Sequence, residues 1–264
     1  MNSIFRLEAC SVSPMNTPKK FNQNAKNAWY PAARAYRFDG PKLAVDCGFL
    51  GDLSPRGLQL TVLQLKYLVS QNRDFRSPWP MHFVNFDQNN QSLLAAEDKH
   101  LGILHSKNSI GAVVSSSSLA ENFDRNRVVY LSPDADEELE SVEDGHVYVL
   151  GGIVDRVVER KIPRKASFEA ASSAGVRSAR LPIDKFIEFK SGSKFLTLTA
   201  VHAILHHVHL TGNWEEAFEK YIPIRNKKES AEKNQHARSK HIMIREFNHR
   251  VQQIVAEKLG EEPK

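Results

Sequence analysis

Cysteine is nearly absent: Cys10 and Cys47 are the two in 264 residues. Two thiols at that separation match no metal-binding pattern and build no disulfide framework, and such usage fits a reducing compartment. No apolar run approaches the roughly 20 residues a membrane-crossing helix needs. Neither G-x-G-x-x-G nor a P-loop occurs, so the usual dinucleotide and nucleotide fingerprints are missing. No Ser-His-Asp or Cys-His set can be argued from spacing, and no internal repeat is present. Acid is scarce at one end: residues 1–38 hold six Lys/Arg and one acid, Glu8.

What is present is unevenly charged. Residues 39–224 carry 20 basic and 24 acidic residues, and residues 225–264 carry ten and six. A mildly acidic core is therefore flanked by two basic ends. Inside the core, Arg156, Arg160, Lys161, Arg164 and Lys165 form one basic cluster, interrupted by Glu159. Such a distribution suits a polyanion such as RNA, and equally a solvated loop with two tails. Three regions follow. Residues 1–38 form a basic arm, either disordered or a mitochondrial transit peptide. Residues 39–225 form the folded domain. Residues 226–264 form a basic helical tail, with Ile242, Ile244, Phe247, Val251 and Ile254 on an amphipathic helix. That helix can dock on the core, contact RNA or bind another protein.

Within the domain the pattern alternates between strand and helix, which indicates α/β architecture with a parallel sheet. Strands are expected at 42–49, 79–86, 111–114, 128–131, 147–151 and 177–183. Ser54-Pro55 starts a helix to about Asn72, with Leu58, Val62, Leu65 and Val69 on one face. Shorter helical pieces are expected at 91–99, 119–123 and 167–174, and longer ones at 198–210 and 214–221. Ser132-Pro133 predicts an acidic helix from Asp134 to Val142, its carboxylates forming a solvated face. His202, His206 and His209 share a helix face; with no supporting Cys or carboxylate, this reads as ordinary helix histidines and no metal site.

One stretch organises the rest: His146-Val-Tyr-Val-Leu-Gly-Gly-Ile-Val-Asp155. It reads as a buried strand ending in two glycines that let the backbone approach a ligand closely. Ligands of open α/β sheets bind beyond the carboxyl ends of strands, where Asp155 falls. Taken alone, the stretch reads rather as a Gly-Gly turn followed by a solvated surface aspartate.

The motifs in order resemble one family. They are Gln64 with Asn72-Arg73, Val129-Tyr130-Leu131, Val147 to Asp155, Ala179-Arg180-Leu181-Pro182, Lys194-Phe195-Leu196-Thr197-Leu198, and Gly212-Asn213-Trp214-Glu215-Glu216-Ala217-Phe218. Over residues 41–225 the chain is similar to the SPOUT-class tRNA methyltransferases that modify ring nitrogen 1 of the purine at the ninth tRNA position. The run from Leu181 to Leu198 resembles the mitochondrial branch, the methyltransferase subunit of protein-only ribonuclease P. Departures are Ser132-Pro133-Asp134-Ala135 and Thr199, where the family has Thr-Ala-Asp-Ser and asparagine. The branch's N-terminal RNA-binding region is expected to be shortened or absent.

The resemblance implies a Rossmann-like parallel sheet with a C-terminal trefoil knot, a topology composition could not suggest. It implies S-adenosylmethionine as cofactor, held by loops at about 131–134, 151–159 and 181–196. Leu131, Gly151, Gly152, Arg156, Ser167, Leu181, Lys194 and Leu196 are the cofactor positions it indicates. Asp155 matches the family's catalytic aspartate. Gln64, Lys66, Arg73, Arg160, Lys161 and Arg164 would face tRNA or precursor tRNA. Expected partners are a short-chain dehydrogenase tetramer and a ribonuclease P nuclease subunit, in the mitochondrial matrix, with the nucleus or cytoplasm as the alternative. The rival expectation is a non-catalytic tRNA-binding scaffold of an RNA-processing complex.

Overall fold

The computed structural model describes residues 39–101, 112–153, 159–187 and 196–222, together with Met243, Phe247, Arg250 and Val251. Six strands, all parallel, form one sheet: β1 (Lys42–Asp46), β2 (Met81–Val84), β3 (Ala112–Val114), β4 (Val128–Leu131), β5 (Val147–Gly151) and β6 (Arg177–Ala179). The spatial order is β3-β2-β1-β5-β4-β6. The chain first builds outward from β1, then starts again at β4 on the other side. β5 enters the gap between them, with Val147 opposite both Lys42 and Val128. Ligands of open parallel sheets lie at such a reversal of strand order.

Every residue of β4 is buried, and β5 is buried up to Gly151. That follows from a sheet covered on both faces, whose strands read as continuous apolar runs. Alternate side chains feed two cores. Leu43, Val45, Phe83, Leu131 and Leu150 pack on one side; Ala44, Val84, Tyr130 and Val149 pack on the other.

The first face is covered chiefly by α1 (Pro55–Asp74), α6 (Leu198–Thr211) and α7 (Trp214–Tyr221), with Leu93 and Ile183 of two shorter helices joining the same core. Between them in sequence lie α2 (Gln91–His100), α3 (Leu119–Asn122), α4 (Ala166–Ala174) and α5 (Ile183–Phe186). Leu58, Val62, Leu65 and Val69 of α1 are buried, as their spacing predicts. Ser54 caps the helix by accepting from Gly57 N at 3.1 Å, with Pro55 in the first position. Ile204, Leu205 and Phe218 are fully buried, each stabilising the fold by roughly 1.5–3 kcal/mol.

Two expectations need correction. The acidic helix over Asp134–Val142 does not form. The segment instead runs alongside β6 beyond the sheet edge, where Arg180 N donates to Glu137 O and Leu139 N to Arg180 O. A helix would have turned those backbone groups inward and left the β6 edge bare, an unstable arrangement. The side chains reinforce the choice: Glu137 pairs with Arg177 at 2.8 Å, and Glu138 with Arg180 at 3.1 Å and Lys185 at 2.6 Å. Trp214 Nε1 also donates to Glu140 O at 2.9 Å. The sixth strand ends at Ala179, short of the expected Ile183, because Pro182 opens the turn of helix α5.

Candidate active site

β1 ends in a buried carboxylate. Asp46 is 5% exposed and accepts three hydrogen bonds. Tyr130 Oη donates at 2.9 Å, Asn85 Nδ2 at 2.8 Å and the Gly48 amide at 3.0 Å. This network joins the carboxyl ends of β1 and β4 and the residue after β2. Burial and the adjacent carboxylate push the Tyr130 phenol well above its usual range, so it stays a donor. Asn85 adopts φ 53°, a left-handed conformation that Asn tolerates better than most residues. Sequence reasoning missed Asp46. Its one signal was an acid inside an otherwise apolar strand run.

The two glycines at the end of β5 sit in tight quarters, Gly152 against backbone and Gly151 against a side chain. A Cβ on Gly152 would lie 2.7 Å from Asp46 O, the atom that accepts the Gly152 amide at 2.9 Å. A Cβ on Gly151 would lie 2.7 Å from Ser167 Oγ on α4. So β5 is packed closely against β1 and α4 where it leaves the sheet, and Ser167 sits beside the strand end. Leu131 and Leu150 are opposite one another, as are Leu131 and Ala179. The three segments expected to hold a cofactor thus leave from adjacent strand ends. Leu181 and Leu196 are half-buried against the main core. Apolar side chains with a few polar groups at a strand-order reversal suit an adenosyl group. Asp155, Arg156 and Lys194 lie outside the described residues.

Glu159, beyond Asp155, is anchored. Its carboxylate accepts from Ser54 N at 2.8 Å and from Ser54 Oγ at 2.9 Å. The exposed basic side chains of Arg160 and Lys161 are thereby brought to the start of α1, where Arg56 is also exposed; Arg164 is exposed too. Lys161 lies 3.8 Å from Asp52.

The α1 residues expected at the RNA divide. Gln64 Oε1 accepts from Leu198 N at 3.2 Å and ties α1 to the first turn of α6. Lys66 and Arg73 lie roughly 160–180° around the helix from Gln64, on a common face. Lys66 is exposed and Arg73 half-buried. The structure does not bring these three into one cluster.

Several motif residues are architectural. Asn72 clamps the entry to β2, donating to Trp79 O at 2.8 Å and accepting from Trp79 N at 3.0 Å. Asn213 caps α7 through Glu216 N at 3.1 Å. His202 and His206 pack against Phe75 and Trp79. Among the described residues, no three His, Cys, Asp or Glu are arranged to hold a metal ion.

The sequence model of the family described as tRNA (guanine(9)-N(1))-methyltransferase TRM10/TRM10A matches residues 13–229. The chain belongs to this family. The TRM10 domain is 30% identical over 192 residues to tRNA methyltransferase 10 homolog B of Danio rerio, covering 71% of this chain and 59% of that protein. It is 28% identical over 193 residues to the mitochondrial ribonuclease P protein 1 homolog of Drosophila melanogaster, covering 73% of this chain and 42% of the relative. This TRM10 chain thus spans about half the length of those curated relatives. A solved full-length Trm10 in complex with SAH superposes with a TM-score of 0.57 at 27% identity, covering 69% of this chain and 95% of the other.

Proposed function

We propose that this TRM10 chain methylates ring nitrogen 1 of the purine at the ninth position of tRNA, with Asp155 as general base. The observation that carries the reading is the end of β5. A strand in the middle of the sheet is drawn tight by Gly151 and Gly152 at the strand-order reversal, three residues before Asp155. The family match and the SAH-bound relative support S-adenosylmethionine as cofactor. When bound, it supplies an electrophilic methyl group on a sulfonium. Leu131, Gly151, Gly152, Arg156, Ser167, Leu181, Lys194 and Leu196 would hold it. The same kinship supports a trefoil knot in the C-terminal part of the domain.

Guanine ring nitrogen 1 carries a proton and is a poor nucleophile. Asp155 accepts that proton as the nitrogen is methylated, a role worth roughly 10²–10⁴-fold. Adenine has a free lone pair there, and Asp155 would instead stabilise the cationic product. The target base has to leave its stack to reach the strand ends. Arg160, Lys161 and Arg164 hold the tRNA backbone, while Gln64 keeps α6 in register with α1. The name of the Drosophila relative supports a mitochondrial setting and a ribonuclease P complex. A short-chain dehydrogenase tetramer and a nuclease subunit are the partners we assign.

The test is methyl transfer from labelled S-adenosylmethionine to a tRNA transcript, with and without a mitochondrial dehydrogenase partner, the modified nucleotide being mapped. Modification at the ninth purine that drops at least ~10-fold in Asp155→Asn is expected for a general base. If wild type transfers no methyl under any condition yet binds tRNA, the chain is a scaffold and the enzymatic reading is wrong.

A further inference from the structure

A polar cleft opens at the edge of the sheet where β5 ends, on the far side of β1. It holds about 400 Å³ and is lined by Asn85, Phe86, Asp87, Gln88, Asn89 and Ser116, just past the carboxyl ends of β2 and β3. Val84, Asp46 and Gly151 stand in register across β2, β1 and β5. The cleft therefore begins two strand spacings, roughly 10 Å, from the Gly-Gly end of β5. Its walls are held in place. Asn85 N donates to Ser117 O and Phe86 N to Ser115 O, both at 3.0 Å, so the loops after β2 and β3 are laced together. Asp87 Oδ1 accepts from Asn89 N at 2.9 Å. Asn85 Nδ2 is committed to Asp46, which sets the plane of its amide. Its left-handed backbone, φ 53°, is strain of the kind that collects at binding sites. The side chains of Gln88, Asn89 and Ser116 bond no partner among the described residues and are exposed at the cleft.

The lining selects its ligand. It offers amides and a hydroxyl but no Lys or Arg, and its one charged side chain, Asp87, is negative. A phosphate would be repelled there. Amides and hydroxyls pair with base edges and with the ribose 2′-hydroxyl, and a carboxylate accepts from amino and hydroxyl groups. We propose that this cleft is a subsite for a nucleoside flanking the target purine in tRNA, held through its base edge or its 2′-hydroxyl. The inference rests on the tRNA methyltransferase reading and names how that enzyme tells one flanking nucleotide from another. Gln88 and Ser116 bond the nucleoside, and Asp87 accepts from it. Asn85 fixes the floor through Asp46, whose backbone oxygen also receives the Gly152 amide of β5. A target base that leaves its stack unstacks its neighbours, and their edges then become readable.

The experiment measures tRNA binding and methyl transfer for wild type, Gln88→Ala, Ser116→Ala and Asp87→Asn, with the dehydrogenase partner present where transfer requires it. All three side chains are exposed, so the fold should tolerate the changes. The transcripts carry a base change or a 2′-deoxy sugar at the eighth or the tenth nucleotide. At least one of these changes is expected to weaken wild-type binding by about fivefold or more. Gln88→Ala or Ser116→Ala should weaken binding of the unaltered transcript by a similar factor. The same variant should cut the cost of that transcript change to less than about twofold, the coupling expected of groups in contact. Sensitivity to a base change assigns the contact to the base edge, and sensitivity to a deoxy sugar assigns it to the ribose. The slope of log K against log salt should stay at its wild-type value, since no phosphate contact is lost. Asp87→Asn keeps an acceptor for Asn89 N and should weaken binding. Tighter binding in Asp87→Asn would mean that phosphate lies in the cleft, and it overturns the proposal. So do transcript changes that cost wild type and every variant alike, or a slope that falls in the alanine variants. If wild type shows the couplings in binding but transfers no methyl, the methyltransferase reading fails and the subsite stands. If methyl transfer proceeds and all three variants keep wild-type discrimination, the subsite fails and the methyltransferase reading stands.

Discussion

Asp46 is a buried carboxylate that pairs with no cation among the described residues; three neutral donors hold it instead. Removing the carboxylate strands the donors. An unmet buried hydrogen-bonding group costs about 1–3 kcal/mol, and two of these donors, Tyr130 Oη and Asn85 Nδ2, point at nothing else shown. Asp46→Ala should therefore destabilise the domain by at least ~2 kcal/mol in urea unfolding. Asp46→Asn keeps one oxygen for Gly48 and Asn85 and can donate to the Tyr130 oxygen, so its cost should be clearly smaller. Equal losses in the two variants would mean that the charge, and not the bonding pattern, is what the site requires.

The buried histidines give a pH prediction of definite sign. Burial pushes His202 down to about 3 and His82 down to about 4, and it lowers His206 as well. All three titrate near 6.5 in the unfolded chain. The unfolded state therefore takes up protons first as pH falls. Stability is complete above about pH 6.5 and declines below it, through the window down to about 4 for His82 and about 3 for His202. The slope is at most ~1.4 kcal/mol per pH unit for each histidine. Neither ring nitrogen of His202 has a hydrogen-bond partner among the described residues. His202→Leu should then leave stability at pH 7 unchanged or higher and flatten the acid slope. A large loss at pH 7 in denaturant titration would show that the ring is bonded after all.

At the scale of elements, the end of β5 makes a sharper distinction than its Gly-Gly pair suggests. Gly151 faces a side-chain hydroxyl, Ser167 Oγ, which can rotate aside. Gly152 faces backbone, Asp46 O, which cannot move without opening the β1–β5 ladder. Gly152→Ala should thus cost clearly more than Gly151→Ala, roughly the 1–3 kcal/mol typical of overpacking. Thermal unfolding of the two variants decides it; a reversed order would put the tight contact at α4. Apolar periodicity exposed most of these elements in advance. The α1 stripe, the buried β5 run and the capped start at Ser54 all follow from local chemistry. Two things did not. The stretch Asp134–Val142 has an N-cap and helix-compatible acids, but its conformation is chosen by a partner 40 residues away, the β6 edge and its arginines. Asp46 looked like a stray acid in a strand because its donors come from Tyr130 and Asn85, remote in sequence. The same remoteness hid Glu159, whose partner Ser54 is 105 residues earlier.

Over the whole molecule, charge is sorted by place. The residues between 39 and 224 are net acidic, while each end is net basic. Against that background, the Glu159–Ser54 bonds bring Arg160 and Lys161 beside the start of α1, where Arg56 is exposed, and Arg164 follows a few residues on. An acidic core repels a polyanion from its other faces, so this surface and the two ends should set how RNA approaches. Each phosphate neutralised releases counterions and adds to the salt dependence of binding. Replacing Arg160, Lys161 and Arg164 together by Ala should weaken tRNA binding without regard to sequence. It should also reduce the slope of log K against log salt by about one per lost contact, so by up to about three. Removing residues 226–264 should reduce the slope separately if the tail also touches phosphate. A triple variant with wild-type slope and affinity would make the cluster a solvated loop, and the ends alone would then carry the RNA. A loss in affinity with unchanged slope would point to a contact other than phosphate, such as a base edge.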